Sequence, residues 1–168
     1  GMTELQTLSL QNNQIVDVSP LSELVELRTL TLRNNQVVSV EGLNGLTNLT
    51  SLTLWINQIQ DISPLAPLVN LTYLDLDTNQ ITDAEALVGM TEIQTIWLNN
   101  NQVADFSVLT DNAGLGNGDS IHFEGNYYNL DTELSQEQWC SGAGDVVGQR
   151  VTFNILGSRG ANVSHDCN

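Results

Sequence analysis

A 22-residue unit repeats five times without a slip, its copies beginning at Leu5, Leu27, Leu49, Leu71 and Ile93. Each copy reads close to LxxLxLxxNxIxxIxxLxxL. Self-similarity at a fixed period of this length is the signature of a solenoid, in which each unit buries its apolar face only against its neighbours. Within each unit the first stretch alternates, as in Thr7-Leu8-Ser9-Leu10 and Thr29-Leu30-Thr31-Leu32. A period of two predicts a short strand with one buried and one exposed face. Leu8, Leu30, Leu52, Leu74 and Ile96 then form one buried column, and Leu10, Leu32, Leu54, Leu76 and Leu98 a second.

Three residues after the second column stands Asn in every unit: Asn13, Asn35, Asn57, Asn79 and Asn101. A polar residue at an inward position is explained by a bend, where an amide can satisfy backbone groups that lose their ladder partners. These amides are expected to stack as an internal hydrogen-bonded column with a structural task. The second half of each unit opens on Ser19, Glu41, Ser63, Glu85 and Ser107, followed by Pro20 and Pro64 in two units. Ser before Pro reads as a helix N-cap followed by the first helical position. The apolar residues that follow are three apart, as in Leu21/Leu24 and Leu65/Leu68, which predicts one turn of 3₁₀ or short α-helix. Asp17, Asp61, Asp83 and Asp105 recur at one position, with Ser39 in the second unit, and are expected to bond backbone groups at the turn.

The units resemble the 22-residue leucine-rich repeat class to which the bacterial internalins belong; "LTSLTLWINQIQDISPLAPLVN" at 49–70 is almost a consensus copy. The resemblance is strong over residues 1–114 and implies an α/β solenoid: a right-handed superhelix with a concave parallel β-sheet, convex 3₁₀ or short α turns and a C-terminal cap. Five full units run from Leu5 to Gly114, and Ile121-His122-Phe123-Glu124-Gly125-Asn126 is a degenerate last one. Ile121 and Phe123 arrive three positions late, so Asp111–Ser120 holds a small insertion rich in Gly and Asn. The repeats are thus expected over 1–126 and a cap over 127–168.

Gly1-Met2-Thr3-Glu4 matches Gly89-Met90-Thr91-Glu92, so the chain is expected to open inside a repeat. Solenoid ends expose an apolar cross-section and an unpaired strand edge. Further repeats or a cap upstream would cover it; self-association through the N-terminal edge is the alternative. The two cysteines, Cys140 and Cys167, lie beyond the last regular repeat. A disulfide between them would staple the cap, worth about 3 kcal/mol, and would imply an oxidising compartment; two separate thiols are the other reading.

The 168 residues include 20 acidic ones, four Arg and no Lys, for a net charge of -16. That field repels nucleic-acid phosphates and anionic lipid heads, and no apolar run suits a bilayer, so neither nucleic acid nor membrane insertion is expected. A basic partner is electrostatically easier, although acidity also serves solubility. No signal peptide is read here, which says nothing about secretion for a chain expected to open inside a repeat.

In this class, as the resemblance implies, binding is carried by the concave sheet. Its outward columns read Thr7, Thr29, Ser51, Tyr73, Thr95, Ser120; then Ser9, Thr31, Thr53, Asp75, Trp97, His122; then Gln11, Arg33, Trp55, Asp77, Asn99, Glu124. The first two units offer mainly hydroxyls. Arg33, Trp55, Tyr73, Asp75, Asp77, Trp97, Asn99, His122 and Glu124, with Ile56 at the rim, have the aromatic and polar composition of interface anchors. The competing reading is cross-strand packing, with Trp55 beside Arg33 as a cation–π pair and Trp97 covering its neighbours. Asp75, Asp77 and Glu124 could be ordinary surface charges or, less simply, calcium ligands; no metal or cofactor is expected. His122 and His165 lack a nucleophile, base and orienting group arranged together, so no catalysis is expected. Asn48, Asn70 and Asn162 match glycosylation sequons, the first two as a by-product of the repeat. The sequence therefore points to a protein-binding recognition module of adhesion or surface-recognition type, extracellular or at the cell surface. A scaffold segment of a larger protein is the alternative.

Overall fold

A parallel ladder with neighbours one repeat apart dominates the computed structural model, which describes residues 2–105, 107–116, 119–126 and 162–164. The strands are β1 (Thr7–Ser9), β2 (Thr29–Thr31), β3 (Ser51–Thr53), β4 (Tyr73–Asp75), β5 (Thr95–Trp97), β6 (Ser120–His122) and β7 (Asn162–Ser164), paired in sequence order in one sheet. The register matches equivalent repeat positions: Leu8, Leu30, Leu52, Leu74 and Ile96 lie side by side, and Ile96 then meets Ile121. The three-residue delay of the sixth coil is therefore real. The expected Cys140–Cys167 disulfide lies outside the described residues, as does the segment 127–168 apart from β7.

Both inward columns are buried from the second coil onward, Leu30, Leu52, Leu74 and Ile96 in one, Leu32, Leu54, Leu76 and Leu98 in the other, with Ile121 and Phe123 continuing them. Each such side chain contributes about 1.5–3 kcal/mol through removal from water. In the first coil Leu8 and Leu10 are only partly buried. Convex turns close the other side: 3₁₀ helices at Ser19–Leu21, Glu41–Leu43, Ser63–Leu65 and Glu85–Leu87, and one α-helical turn, α1 (Val108–Asp111), in the fifth coil. This α/β solenoid is the expected architecture.

The caps of those turns differ from expectation. Ser19 and Ser63 are the first helical residues and their side chains make no cap bond. The capping acceptor sits two residues earlier: the Ser19 N–H donates to Asp17 Oδ1 at 2.8 Å and the Ser63 N–H to Asp61 Oδ1 at 2.8 Å. Asp83 receives the Glu85 N–H at 2.7 Å, Asp105 the Ser107 N–H at 2.8 Å, and the Ser39 hydroxyl the Glu41 N–H at 3.3 Å. These Asx-type turns give the recurrent Asp column its task. They also hold the Asp17 and Asp61 carboxyls below the usual range, because each accepts the backbone N–H and the hydroxyl of the serine two residues on.

The Asn column joins successive coils. Asn79 Nδ2 donates to Leu76 O of its own coil at 2.9 Å and to Leu54 O of the preceding one at 3.1 Å, while its Oδ1 accepts the Ile59 N–H at 3.1 Å. Asn35, Asn57 and Asn101 repeat the pattern. Asn126 repeats it in the delayed coil, bonding Leu98 O, Phe123 O and the Val103 N–H. The inserted residues leave this column untouched and fold on the convex side. There Asn112, fully buried, caps the carbonyls of Leu87 and Met90 at 2.6 and 3.1 Å. Gly114 packs so near Thr91 that an added Cβ would stand 1.8 Å from the Thr91 carbonyl oxygen. The sequon residues Asn48 and Asn70 donate to the backbone carbonyls of Val25 and Thr47, both at 2.9 Å.

Three residues past each of β1 to β6 stands a residue of left-handed backbone: Asn12 (φ 58), Asn34 (φ 54), Ile56 (φ 56), Thr78 (φ 54), Asn100 (φ 53) and Gly125 (φ 68). Asn and Gly suit that conformation, whereas a β-branched residue there costs about 1–3 kcal/mol.

Asn79→Ala is expected to lower the unfolding free energy by about 2–4 kcal/mol, since it strips partners from three buried backbone groups of two coils. Asn13, exposed and bonded only to Leu10 O and Gln11 O of its own coil, should cost under about 1 kcal/mol when changed to Ala. Urea denaturation of the two variants compares them, and equal losses would sink the inter-coil account.

Candidate functional site

The register places the candidate residues on five adjoining strands, β2 to β6, and their extensions. Trp97 lies between Asp75 and His122 in one column. In the next column the ladder continues past the strands through Asn34 N–H to Trp55 O, Ile56 N–H to Asp77 O, Thr78 N–H to Asn99 O and Asn100 N–H to Glu124 O, each at 2.7–3.0 Å. Arg33, Trp55, Asp77, Asn99 and Glu124 are thereby neighbours in that order. Because strands stand about 4.8 Å apart, adjacent side chains of a column touch.

Two aromatic contacts organise the face. The Arg33 guanidinium carbon lies 4.0 Å from the Trp55 ring centroid, the cation–π pair foreseen as the packing alternative. Burial of Arg33 Nε, which has no hydrogen-bond partner, adds a cost that this stacking helps to offset. Trp97 stacks on His122, centroids 3.7 Å apart and planes 7° from parallel. Both tryptophans remain half-buried, so each keeps surface for further contact.

Between the two pairs runs a carboxylate chain. Tyr73 stands two residues before Asp75 on the same strand and its side chain favours the Asp75 carboxylate, while the Asp77 N–H donates to Asp75 Oδ1 at 3.2 Å. Asp77 accepts twice from Asn99, from its N–H at 2.7 Å and its Nδ2 at 3.1 Å. Asn99 Oδ1 in turn accepts the Glu124 N–H at 2.7 Å. The amide of Asn99 thus relays from strand four to strand six and fixes the orientation of Asp77. The two aspartates are committed to protein donors, and among the described residues no group of three or more His, Cys, Asp or Glu side chains is placed to hold a metal ion.

Burial dominates the electrostatics. Asp75 is 7 % exposed, and loss of water pushes its carboxyl up to about 6. The Asp77 N–H, the Arg33 charge and the Tyr73 side chain oppose that rise, while the Asp77 charge adds to it. Asp77 is also raised by burial, against hydrogen bonds from Asn99 and the His122 charge. Tyr73 is raised by burial and by the two carboxylates beside it. The structure thus brings together all nine candidates. It adds what the sequence pattern missed: the relay through Asn99, and the left-handed residues Ile56 and Thr78 at the ends of the strands bearing Trp55 and Asp77.

A carboxyl raised from 3.8 to about 6 holds its proton more tightly in the folded than in the unfolded chain. The folded state is therefore penalised as pH rises from about 4 through about 6, and the penalty is complete above that. Asp75→Asn should stabilise the chain by about 1–3 kcal/mol at pH 7.5 and leave it unchanged at pH 3.5. Thermal melts of both proteins across this range would contradict the account if the gap failed to open with rising pH.

The profile of the family described as leucine-rich repeats in two copies matches at residues 3–45, 25–67, 47–89 and 69–111. Among solved structures, internalin C2 of Listeria monocytogenes is 37% identical with a TM-score of 0.69, covering 74% of this chain and 54% of that one. A second internalin of Listeria monocytogenes is 31% identical with a TM-score of 0.75, over 98% of this chain and 48% of that one. A leucine-rich repeat protein of Leptospira interrogans, at 20% identity and a TM-score of 0.74 over 97% of this chain and 38% of that one, shares the fold. The chain spans about half the length of the two internalins. No protein with a curated description matches it. By its repeats and its structural likeness, the chain belongs to the leucine-rich repeat family and is internalin-like.

Proposed function

We propose that this chain is a non-catalytic recognition module that binds another protein through the concave face of coils three to six, at the cell surface or outside the cell. Leucine-rich repeat proteins are in general protein-interaction modules, which supports the class of function. The observation that carries the location is the coexistence of two half-buried tryptophans, Trp55 and Trp97, with the Tyr73, Asp75 and Asp77 chain on one sheet face. A flat sheet that needed only solubility would carry the small hydroxyls of Thr7, Ser9, Thr29 and Thr31 throughout. Large rings held by Arg33 and His122 have little rotamer freedom left to lose on docking, which favours affinity. Net charge of -16 and the carboxylates of the face favour a partner with a basic surface, attracted faster at low salt. Residues 127–168 serve as a C-terminal cap in this reading; the pairing of β7 on β6, which covers the last repeat strand, supports it.

The test replaces Trp55 and Trp97 together by Ala. A partner recovered on the wild-type chain, then purified and titrated by calorimetry, should bind the variant at least about 30-fold more weakly, as hot-spot truncations do. The two intramolecular ring contacts are worth about 1–2 kcal/mol together, so the unfolding midpoint should fall by only a few degrees. A large fall in midpoint with unchanged affinity would assign both rings to packing alone.

A further inference from the structure

The left-handed position that follows each of β1 to β6 is held by Asn12, Asn34, Asn100 and Gly125 in four coils and by Ile56 and Thr78 in the two between. Asn and Gly are the residues that this backbone accepts at least cost, and a β-branched side chain is the least suited to it. The neighbours enforce the conformation. The Ile56 N–H donates to Asp77 O at 3.0 Å and its carbonyl accepts the Asn35 N–H at 3.2 Å. The Thr78 N–H and carbonyl are held likewise by Asn99 O and the Asn57 N–H, at 2.8 and 3.3 Å. Neither residue can relax to an ordinary backbone without breaking the inter-coil ladder. Local strain that the surroundings over-determine is a pointer to function when it is observed rather than assumed.

The Asn residues at this position also bond one another: Asn34 Nδ2 donates to Asn12 Oδ1 at 3.0 Å. Ile56 ends that surface chain, because it has no amide to continue it. It is partly exposed and follows Trp55 directly, and Thr78, exposed, follows Asp77. The turn column thus departs from Asn and Gly in two coils that also carry large or charged outward side chains, Trp55 in one and Tyr73, Asp75 and Asp77 in the other.

We propose that Ile56, with Thr78 beside it, is a specificity-determining contact, so that the docking surface turns from the sheet at Trp55 and Asp77 onto the strand-end turns of coils three and four. The inference rests on the concave-face reading and deepens it. The occupant it fits is a protein segment presenting an apolar side chain next to a cation. The apolar group lies on Ile56 and the edge of Trp55, and the cation faces Asp77, which the register places next to Trp55. Charge complementarity with a chain of net charge -16 selects the basic flank.

The probe is a set of twelve-residue peptides selected by display on the wild-type chain, and the readouts are peptide affinity and unfolding midpoint. Ile56→Asn should raise the midpoint by about 2–4 °C, because it relieves strain, and weaken binding at least tenfold. Ile56→Leu should keep affinity within about threefold, and Val69→Asn on the convex side should leave it unchanged. The selected peptides should pair an apolar residue with Lys or Arg and should lose affinity to Trp55→Ala. A raised midpoint with affinity unchanged removes Ile56 from the surface while leaving the concave face standing. No rise in midpoint shows that no strain was relieved and overturns the premise. Peptides indifferent to Trp55→Ala, or no selected peptides at all, overturn the concave-face reading and this contact with it.

Discussion

One buried amide per coil ties the solenoid together. From Asn35 onward each Asn of the column satisfies a carbonyl of its own coil and both a carbonyl and an N–H of the coil before it, as Asn57 does with Leu54 O, Leu32 O and the Val37 N–H. Buried backbone groups left without partners cost more than a made hydrogen bond returns. A coil displaced by one residue would orphan all three groups at once, so the column enforces register as well as closing the bend. The sixth coil demonstrates this. Three extra residues precede it, yet Asn126 still bonds Leu98 O and the Val103 N–H of the coil before. The surplus is displaced to the convex side, where Asn112 and Gly114 seal it against Leu87, Met90 and Thr91.

Register fixed in this way decides what the concave face can present. Inward positions are committed to Leu, Ile and Phe, and the turn to Asn, which leaves a few free side chains per coil. Parallel pairing aligns equivalent positions, so chemistry on the face is written in columns. Arg33 reaches Trp55, Trp97 reaches His122, and Asp77 reaches the Glu124 N–H through the amide of Asn99. Every one of these contacts joins adjacent coils. The face consequently gains rigidity from the same stacking that builds the core, and its side chains have little rotamer freedom left to lose.

Features that recur were legible in the sequence. The strand columns, the Asn column, the Asp turns and the late arrival of Ile121 and Phe123 each follow from a spacing repeated several times. The cap of the convex turn was misassigned because Ser19-Pro20 satisfies the general rule for a helix start, while the Asp two residues earlier is the better acceptor for an N–H facing it. The relay from Asp77 through Asn99 to the Glu124 backbone was not legible, since it depends on rotamers and not on spacing. The left-handed column was hidden for a different reason. Asn12-Asn13, Asn34-Asn35 and Asn100-Asn101 announce it as a doublet, but Ile56-Asn57 and Thr78-Asn79 keep only the second residue. The interruption itself was the signal.

That interruption falls where the electrostatics are also unfavourable. Asp75, in the fourth coil, keeps a carboxyl in surroundings that raise it to about 6, and Ile56, in the third, keeps a β-branched side chain on left-handed backbone. Both are local costs at positions that the first two coils fill cheaply, with Ser9 and Thr31 at one and Asn12 and Asn34 at the other. A repeat protein supplies its own control: the solution preferred by the fold stands one coil away, on identical backbone. Sequences that fold well agree with local rules almost everywhere and depart from them where another demand competes. Two unrelated penalties in adjoining coils, one electrostatic and one conformational, are hard to attribute to the core, which is equally well packed on either side. Both lie on or just past neighbouring strands of the concave sheet, Asp75 in β4 and Ile56 after β3, and a competing demand from that side is what the proposed docking would supply.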